Sequence, residues 1–168
     1  MRIALIGMMG TLKSSVGKEL SKSLALPLFD TDDIFIKEND ISINDAFKNF
    51  GEEFFRNKET EIIRKLCNLE DIIISCGGGL PVRGENRQEL SKCFCVRLTA
   101  AAQTIFGRLK RNKTRPLLKD ISVERIDQLI KDREQVYASA ANVTFVTDGK
   151  TAACISTEII NIIKKISR

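Results

Sequence analysis

The stretch Arg2-Ile3-Ala4-Leu5-Ile6-Gly7-Met8-Met9-Gly10-Thr11-Leu12-Lys13-Ser14-Ser15 decides the fold. Its short apolar run stops at a glycine, the mark of a strand buried on both faces of a parallel sheet, and residues 2–7 are read as that strand. Residues 13–25 read as a helix. A strand, a glycine turn and a helix that opens on Lys-Ser match the phosphate-binding loop G-x-x-x-x-G-K-[ST] at Gly7, Lys13 and Ser14. In such a loop the backbone N–H groups and the helix N-terminus hold anionic oxygens, the lysine reaches the β- and γ-phosphates, and the hydroxyl ligates Mg²⁺. Leu12 stands where the motif has its second glycine. Leucine keeps the N–H donor, but if that position needs φ > 0 its side chain costs on the order of 1–2 kcal/mol there and crowds the phosphate. The plainer alternative is a glycine-containing turn that caps a helix.

Working outward, short apolar runs alternate with amphipathic stretches, the pattern of an α/β domain with a parallel sheet. Residues 27–30, 71–76, 94–98 and 143–147 are the further strands. Helices are expected over 42–50, 52–69, 99–111, 123–138 and 151–166, with 112–120 a polar loop. Ile155, Ile159, Ile162 and Ile166 fall on one face of the closing helix and are expected in the core. Five of the ten glycines lie in two spots, Gly7 with Gly10 and Gly77-Gly78-Gly79, and both spots follow buried strands. Ligands of open parallel sheets sit beyond the carboxyl ends of the strands, so the glycines lie where a site belongs.

Composition removes several classes of function. The 168 residues fit one compact domain, spanning 1–168. The chain has no histidine, which excludes a His–Cys zinc site, a Ser–His or Cys–His nucleophile pair and an imidazole base. Its five cysteines form no C-x-x-C pair, so reduced cytosolic thiols are expected rather than a disulfide framework. No apolar run approaches the ~18 residues of a membrane span, and the chain runs straight into a strand with no signal peptide expected. A net charge of +5 suits an anionic small-molecule partner, while no basic stripe with interleaved aromatics points to nucleic acid.

Further chemistry-bearing segments are each ambiguous alone. In Phe29-Asp30-Thr31-Asp32 two carboxylates at i and i+2 could divide a metal and a substrate hydroxyl, or one of them could simply cap the next helix. Arg56 and Glu59 are three apart on a helix and can pair, as many solvated salt bridges do. Gly77-Gly78-Gly79 leaves N–H groups bare to a ligand, or makes a tight turn. Arg115-Pro116-Leu117-Leu118 lies in a basic loop that could close as a lid or remain a solvated loop. Arg133, followed by Tyr137, lies on the next helix.

Taken in order and spacing, these segments closely resemble shikimate kinase over nearly the whole chain. The resemblance implies the small P-loop kinase fold of nucleoside monophosphate kinases: a five-stranded parallel sheet ordered 2-3-1-4-5, flanked by helices, with a lid at approximately 110–122 and substrate-binding helices at approximately 32–62. It implies transfer of the γ-phosphoryl of ATP to the 3-hydroxyl of shikimate on the route to chorismate and the aromatic amino acids, in a cytoplasmic monomer.

Site residues follow by motif. Met9, Gly10, Thr11, Leu12, Lys13, Ser14 and Ser15 would cradle the nucleotide phosphates. Lys13 would hold the β- and γ-phosphates, Ser14 the Mg²⁺, and Asp30 would reach the metal through water. Asp32 would bind shikimate hydroxyls and orient or deprotonate the attacking one. Arg56 and Arg133 would clamp the carboxylate, and Gly78 and Gly79 would offer N–H groups to the ring. Arg115 would swing in toward the transferring phosphate, Arg108 would lie beside the adenine, and Lys150 falls in the loosely matched adenine loop.

Leu12 is the departure from the family pattern. It leaves open slight loop adjustment with activity kept, weakened ATP binding, or a relative that binds shikimate without turnover. Leu12→Gly is expected to raise kcat/KM for ATP. Another small-metabolite P-loop kinase, such as a gluconate kinase, is the competing enzyme reading.

Overall fold

The computed structural model describes residues 1–111 and 122–166. Five parallel strands form one sheet in the order β2-β3-β1-β4-β5, as the resemblance implies. β1 (Arg2–Ile6) is central, between β3 (Ile72–Ser75) and β4 (Phe94–Thr99), with β2 (Leu28–Asp30) and β5 (Val143–Val146) at the edges. Ile3 to Ile6 and Ile72 to Ile74 are all buried, because helices cover both faces of the sheet. That is why these strands read as continuous apolar runs rather than alternating ones.

The pleat divides the core in two. Ala4, Ile6, Ile72, Ile74 and Cys95 meet α3 (Ile43–Leu66) and α6 (Val123–Ala140) through Ile62, Ile63, Ile126 and Tyr137. Ile3, Leu5, Ile73, Val96 and Leu98 meet α1 (Lys13–Leu24) and α7 (Ala152–Ile166) through Val16, Leu20, Ile155, Ile159 and Ile163.

Some local expectations are corrected. On α7 the core face is Ile155, Ile159 and Ile163, a regular i, i+4, i+8 stripe, whereas Ile162 is half-buried and Ile166, on the last residue of the helix, is 64% exposed. Helix α2 (Thr31–Asn39), which the residue pattern does not show although the resemblance places substrate-binding helices at approximately 32–62, begins directly after β2. Its apolar residues Ile34-Phe35-Ile36 are consecutive, which hides the helical period; Phe35 is buried and Ile36 exposed. A short α4 (Gly84–Leu90) after the 3-10 turn Leu80–Val82 was also unread. α5 (Ala102–Arg111) starts later than expected because Thr99 still pairs with Val146 in the sheet. The two helices expected over 42–50 and 52–69 are the halves of α3, bent at Gly51 with φ 81° and ψ 170°.

Candidate active site

The chain leaves β1 toward β2 and leaves β3 toward β4, in opposite directions along the sheet, so a crevice opens between the carboxyl ends of β1 and β3. A cleft of about 240 Å³ lies there. Met9, Gly10, Leu12, Lys13, Ser14 and Ser15 line one side; Asp30, Asp32, Gly77 and Gly78 line the other, and Arg108 closes one end. The phosphate loop, the Asp-Thr-Asp segment and the triple glycine, far apart in sequence, thus share one cavity.

On the phosphate side the turn after β1 wraps round the Lys13 ammonium, which donates to Gly7 O and Met8 O, both at 2.8 Å. Thr11 is buried and its hydroxyl donates to Met8 O at 2.7 Å. Leu12 is left-handed, with φ 71° and ψ 16°, and its carbonyl accepts from Val16 N at 2.8 Å to open α1. The position therefore does take the conformation that favours glycine. The Leu12 side chain packs against the α1–α7 core, and that burial offsets part of the strain.

Arg108 buttresses this turn from α5. Its Nη1 donates to Gly10 O at 3.0 Å and to Thr147 Oγ1 at 2.8 Å, and its Nη2 donates to Thr147 O at 2.7 Å. Burial lowers its pKa, against the pull of Asp148. Lys150 instead pairs with Glu158 at 2.9 Å and does not line the cleft.

Between the two sides, Ser14 Oγ donates to Asp30 Oδ2 at 3.2 Å. The other Asp30 oxygen accepts from Asp32 N at 3.0 Å, so the capping role and the position beside Ser14 coexist. A hydroxyl and a carboxylate side by side are hard oxygen donors and fit Mg²⁺, which commonly takes one or two protein oxygens and fills its shell with phosphate and water.

The acid side is built from α2, α3, α6 and the triple glycine. Gly77 N donates to Thr31 Oγ1 at 2.8 Å, tying the start of α2 to the end of β3. Arg56, on α3, donates from Nη1 to Glu59 Oε2 at 2.6 Å and from Nε and Nη2 to Glu52 Oε1 at 3.1 Å. Burial pushes the Glu59 carboxyl up while Arg56 pulls it down, and the nearby Asp32 charge adds to the rise. The Nη1–Nη2 edge of the Arg56 guanidinium faces Gly79, where a Cβ would fall 2.6 Å from Nη2 and 2.8 Å from Cζ. A side chain there would evict the arginine.

Arg133 reaches the same glycine pair from α6, with Nη1 3.4 Å from Gly78 O. Tyr137 donates its hydroxyl to that carbonyl at 2.5 Å. Two guanidinium groups from two helices therefore converge on Gly78 and Gly79. Arg115 lies outside the described residues.

The sequence pattern of shikimate kinases matches residues 9–164. The chain belongs to the shikimate kinase family. It is 40% identical to a shikimate kinase of Clostridium botulinum (strain ATCC 19397 / Type A) over 88% of this chain and 89% of that one. Identity to a shikimate kinase of Geobacter sulfurreducens is 37%, over 97% and 91%.

The fold superposes on a shikimate kinase from Acinetobacter baumannii, solved in complex with shikimate, with a TM-score of 0.91 at 28% identity, covering 98% of this chain and 93% of that one. A shikimate kinase from Aquifex aeolicus gives 0.85 at 33% identity, over 99% and 98%. The fold is the P-loop kinase fold, and family membership makes this chain an ATP-dependent kinase. The gluconate kinase and the binding-only relative are not favoured. Among the described residues no helix is long and apolar enough to cross a membrane.

Site-forming residues that the sequence reading passed over include Thr31 and the floor residues Ser75 and Cys76. Cys76 follows directly on the buried strand β3, beside the triple glycine, a signal of position rather than of residue type. Burial holds its thiol well above the usual thiol range, so it is a wall and not a nucleophile.

Proposed function

We propose that this chain transfers the γ-phosphoryl group of ATP to the 3-hydroxyl of shikimate. The observation that carries this reading is the meeting of Arg56 and Arg133 at Gly78 and Gly79, beside a phosphate-type turn. Guanidinium binds a carboxylate in a forked geometry, so two of them suit a small hydroxylated acid.

In this reading the N–H groups of residues 9–15 hold the triphosphate at the start of α1, where the helix dipole favours anions. Lys13 exchanges its carbonyl partners for β- and γ-phosphate oxygens. Arg108 holds Gly10 and hence the back of the cradle, beside the adenine. Lys150 contributes to the nucleotide only by leaving Glu158.

Ser14, with Asp30 through water, would hold Mg²⁺. The ion, when bound, neutralises phosphate charge. Arg56 releases Glu52, the exposed partner, and takes the substrate carboxylate while Glu59 keeps its other edge. Arg133 takes the same carboxylate from α6. Gly78 and Gly79 offer N–H groups to the ring, and Asp32 accepts the proton of the attacking hydroxyl. The hydroxyl oxygen bonds to the γ-phosphorus, the bond to the β-phosphate oxygen breaks, and ADP leaves. Such a transfer needs positioning and charge neutralisation more than covalent help.

Arg115, in a lid over approximately 110–122, would supply further positive charge and exclude water. We take the chain, residues 1–168, to be one kinase domain and a cytoplasmic monomer, a compartment that suits its five free cysteines.

The test is ADP release with ATP and Mg²⁺ against shikimate, gluconate and no acceptor. Release that depends on shikimate, with phosphoshikimate identified by mass, supports the reading. Equal release with gluconate, or none with shikimate, overturns it.

A further inference from the structure

Arg97 sits in the middle of β4, only 7% exposed, between the buried Val96 and Leu98. Among the described residues its side-chain hydrogen bonds go to neither the phosphate turn nor the triple glycine, and the site as described makes no use of it. A guanidinium in a sheet core is costly, and an apolar residue there often serves stability as well or better. Its Nε is buried without a hydrogen-bond partner among the described residues. Stability is therefore a poor reason for this residue.

Its contacts point elsewhere. The guanidinium crosses to α6, where Nη1 donates to Glu134 Oε1 at 2.8 Å and Nη2 donates to Glu134 Oε2, a forked pair. Its Cζ lies 5.8 Å from the centre of the Tyr137 ring. The hydrogen bond from Arg97 holds the Glu134 carboxyl below the usual glutamate range. Glu134 is the neighbour of Arg133 and lies three residues before Tyr137. Both of those residues hold Gly78 O. The fork thus fixes the rotation of α6 about its own axis in the very turn that faces the triple glycine.

We propose that Arg97 is a positioning residue for the acid-binding side: paired with Glu134, it sets the rotation of α6 and thereby the aim of the Arg133 guanidinium and the grip of Tyr137 on Gly78. The inference rests on the proposed role of Arg133 toward the acceptor carboxylate. It makes the specificity of the site depend on a strand residue that never meets the substrate.

The experiment compares Arg97→Met, Glu134→Gln, Arg133→Ala and the double variant Arg97→Met/Arg133→Ala in the full chain. KM and kcat are measured for both substrates, and the Kd of shikimate by calorimetry. Tyr137 is the sole tyrosine and the chain has no tryptophan, so intrinsic emission reports this one ring. Arg97→Met and Glu134→Gln should each raise KM and Kd for shikimate by about 5- to 20-fold, with KM for ATP and kcat within about twofold, and should alter the emission change that shikimate produces. In the Arg133→Ala background Arg97→Met should add less than about twofold.

Shikimate constants at wild-type values in both single variants, or a parallel loss in both substrates, overturn the proposal. Intact shikimate binding in Arg133→Ala removes the carboxylate role of Arg133, and the proposal with it. If Arg97→Met fails to fold, Glu134→Gln, at a half-exposed position on α6, carries the test.

Discussion

The two sides of the crevice are held by different means. On the phosphate side the groups that face the ligand are mostly backbone, set by the path from β1 into α1 and backed by Arg108 and Thr11. On the acid side they are charged side chains, each restrained by other side chains or by a carbonyl: Arg56 by Glu59 and Glu52, Arg133 by Gly78 O beside Tyr137. A backbone cradle tolerates a change of side chain as long as the path survives, and Leu12 is that case. A cradle of side chains is sensitive to each member and to the partners that aim it.

Substitutions should divide along this line. The largest effect is expected for Lys13→Met, the one phosphate-side change that removes a charge: kcat falls by about 10²- to 10³-fold while KM for shikimate stays within a few fold, as read by coupled ADP release. A comparable rise in shikimate KM would blur the two sides into one. Next is Arg56→Lys, which keeps a cation for Glu59 but loses the fork. It should raise KM for shikimate by about 10- to 100-fold and leave kcat/KM for ATP nearly unchanged.

Glu59 tests the restraint itself. Its carboxyl holds its proton more tightly in the folded chain than in the unfolded one, chiefly through burial. The fold is therefore favoured below the ordinary glutamate range and loses stability as pH climbs toward the raised value. Urea midpoints followed upward in pH from the ordinary glutamate range should show that decline, and Glu59→Gln should flatten it.

Leu12→Gly is expected to give the smallest change. The left-handed strain at residue 12 belongs to the free protein, and where ATP leaves it in place it cancels from kcat/KM. Relief of crowding alone should raise kcat/KM for ATP by about two- to fivefold. Tm should change little, because the left-handed strain that glycine relieves offsets the burial lost when the side chain leaves the α1–α7 core. A gain above tenfold would mean that nucleotide binding itself changes the backbone at this residue.

The sheet was legible because its central strands β1 and β3 are short, continuous apolar runs with glycine at or just past their ends. The crevice was legible because Gly7, Asp30 and Gly77 all fall at strand ends. What escaped had no period or no neighbour to betray it. Ile34-Phe35-Ile36 masks α2, and Ile163 was passed over because Ile162 and Ile166 fit a looser helical stripe. Arg97 was visible as a lone cation inside an apolar strand, but its partner lies 37 residues away on another element, a distance that only the fold closes. The Arg56–Glu59 pair could be read locally. That Gly79 must lack a side chain for it could not.

The bend in α3 has a stereochemical consequence. At Gly51 nothing lies within 4 Å of where a Cβ would sit, so the requirement there concerns handedness and not room. A φ of 81° with ψ 170° is the mirror image of ordinary extended backbone. L-alanine at this residue would cost about 1–3 kcal/mol or straighten the helix, drawing Phe47 off the Phe55 ring that it now meets at 4.9 Å. D-alanine, introduced by chemical ligation, would fit the bend and stiffen it, holding the aromatic cluster beneath Arg56 in place.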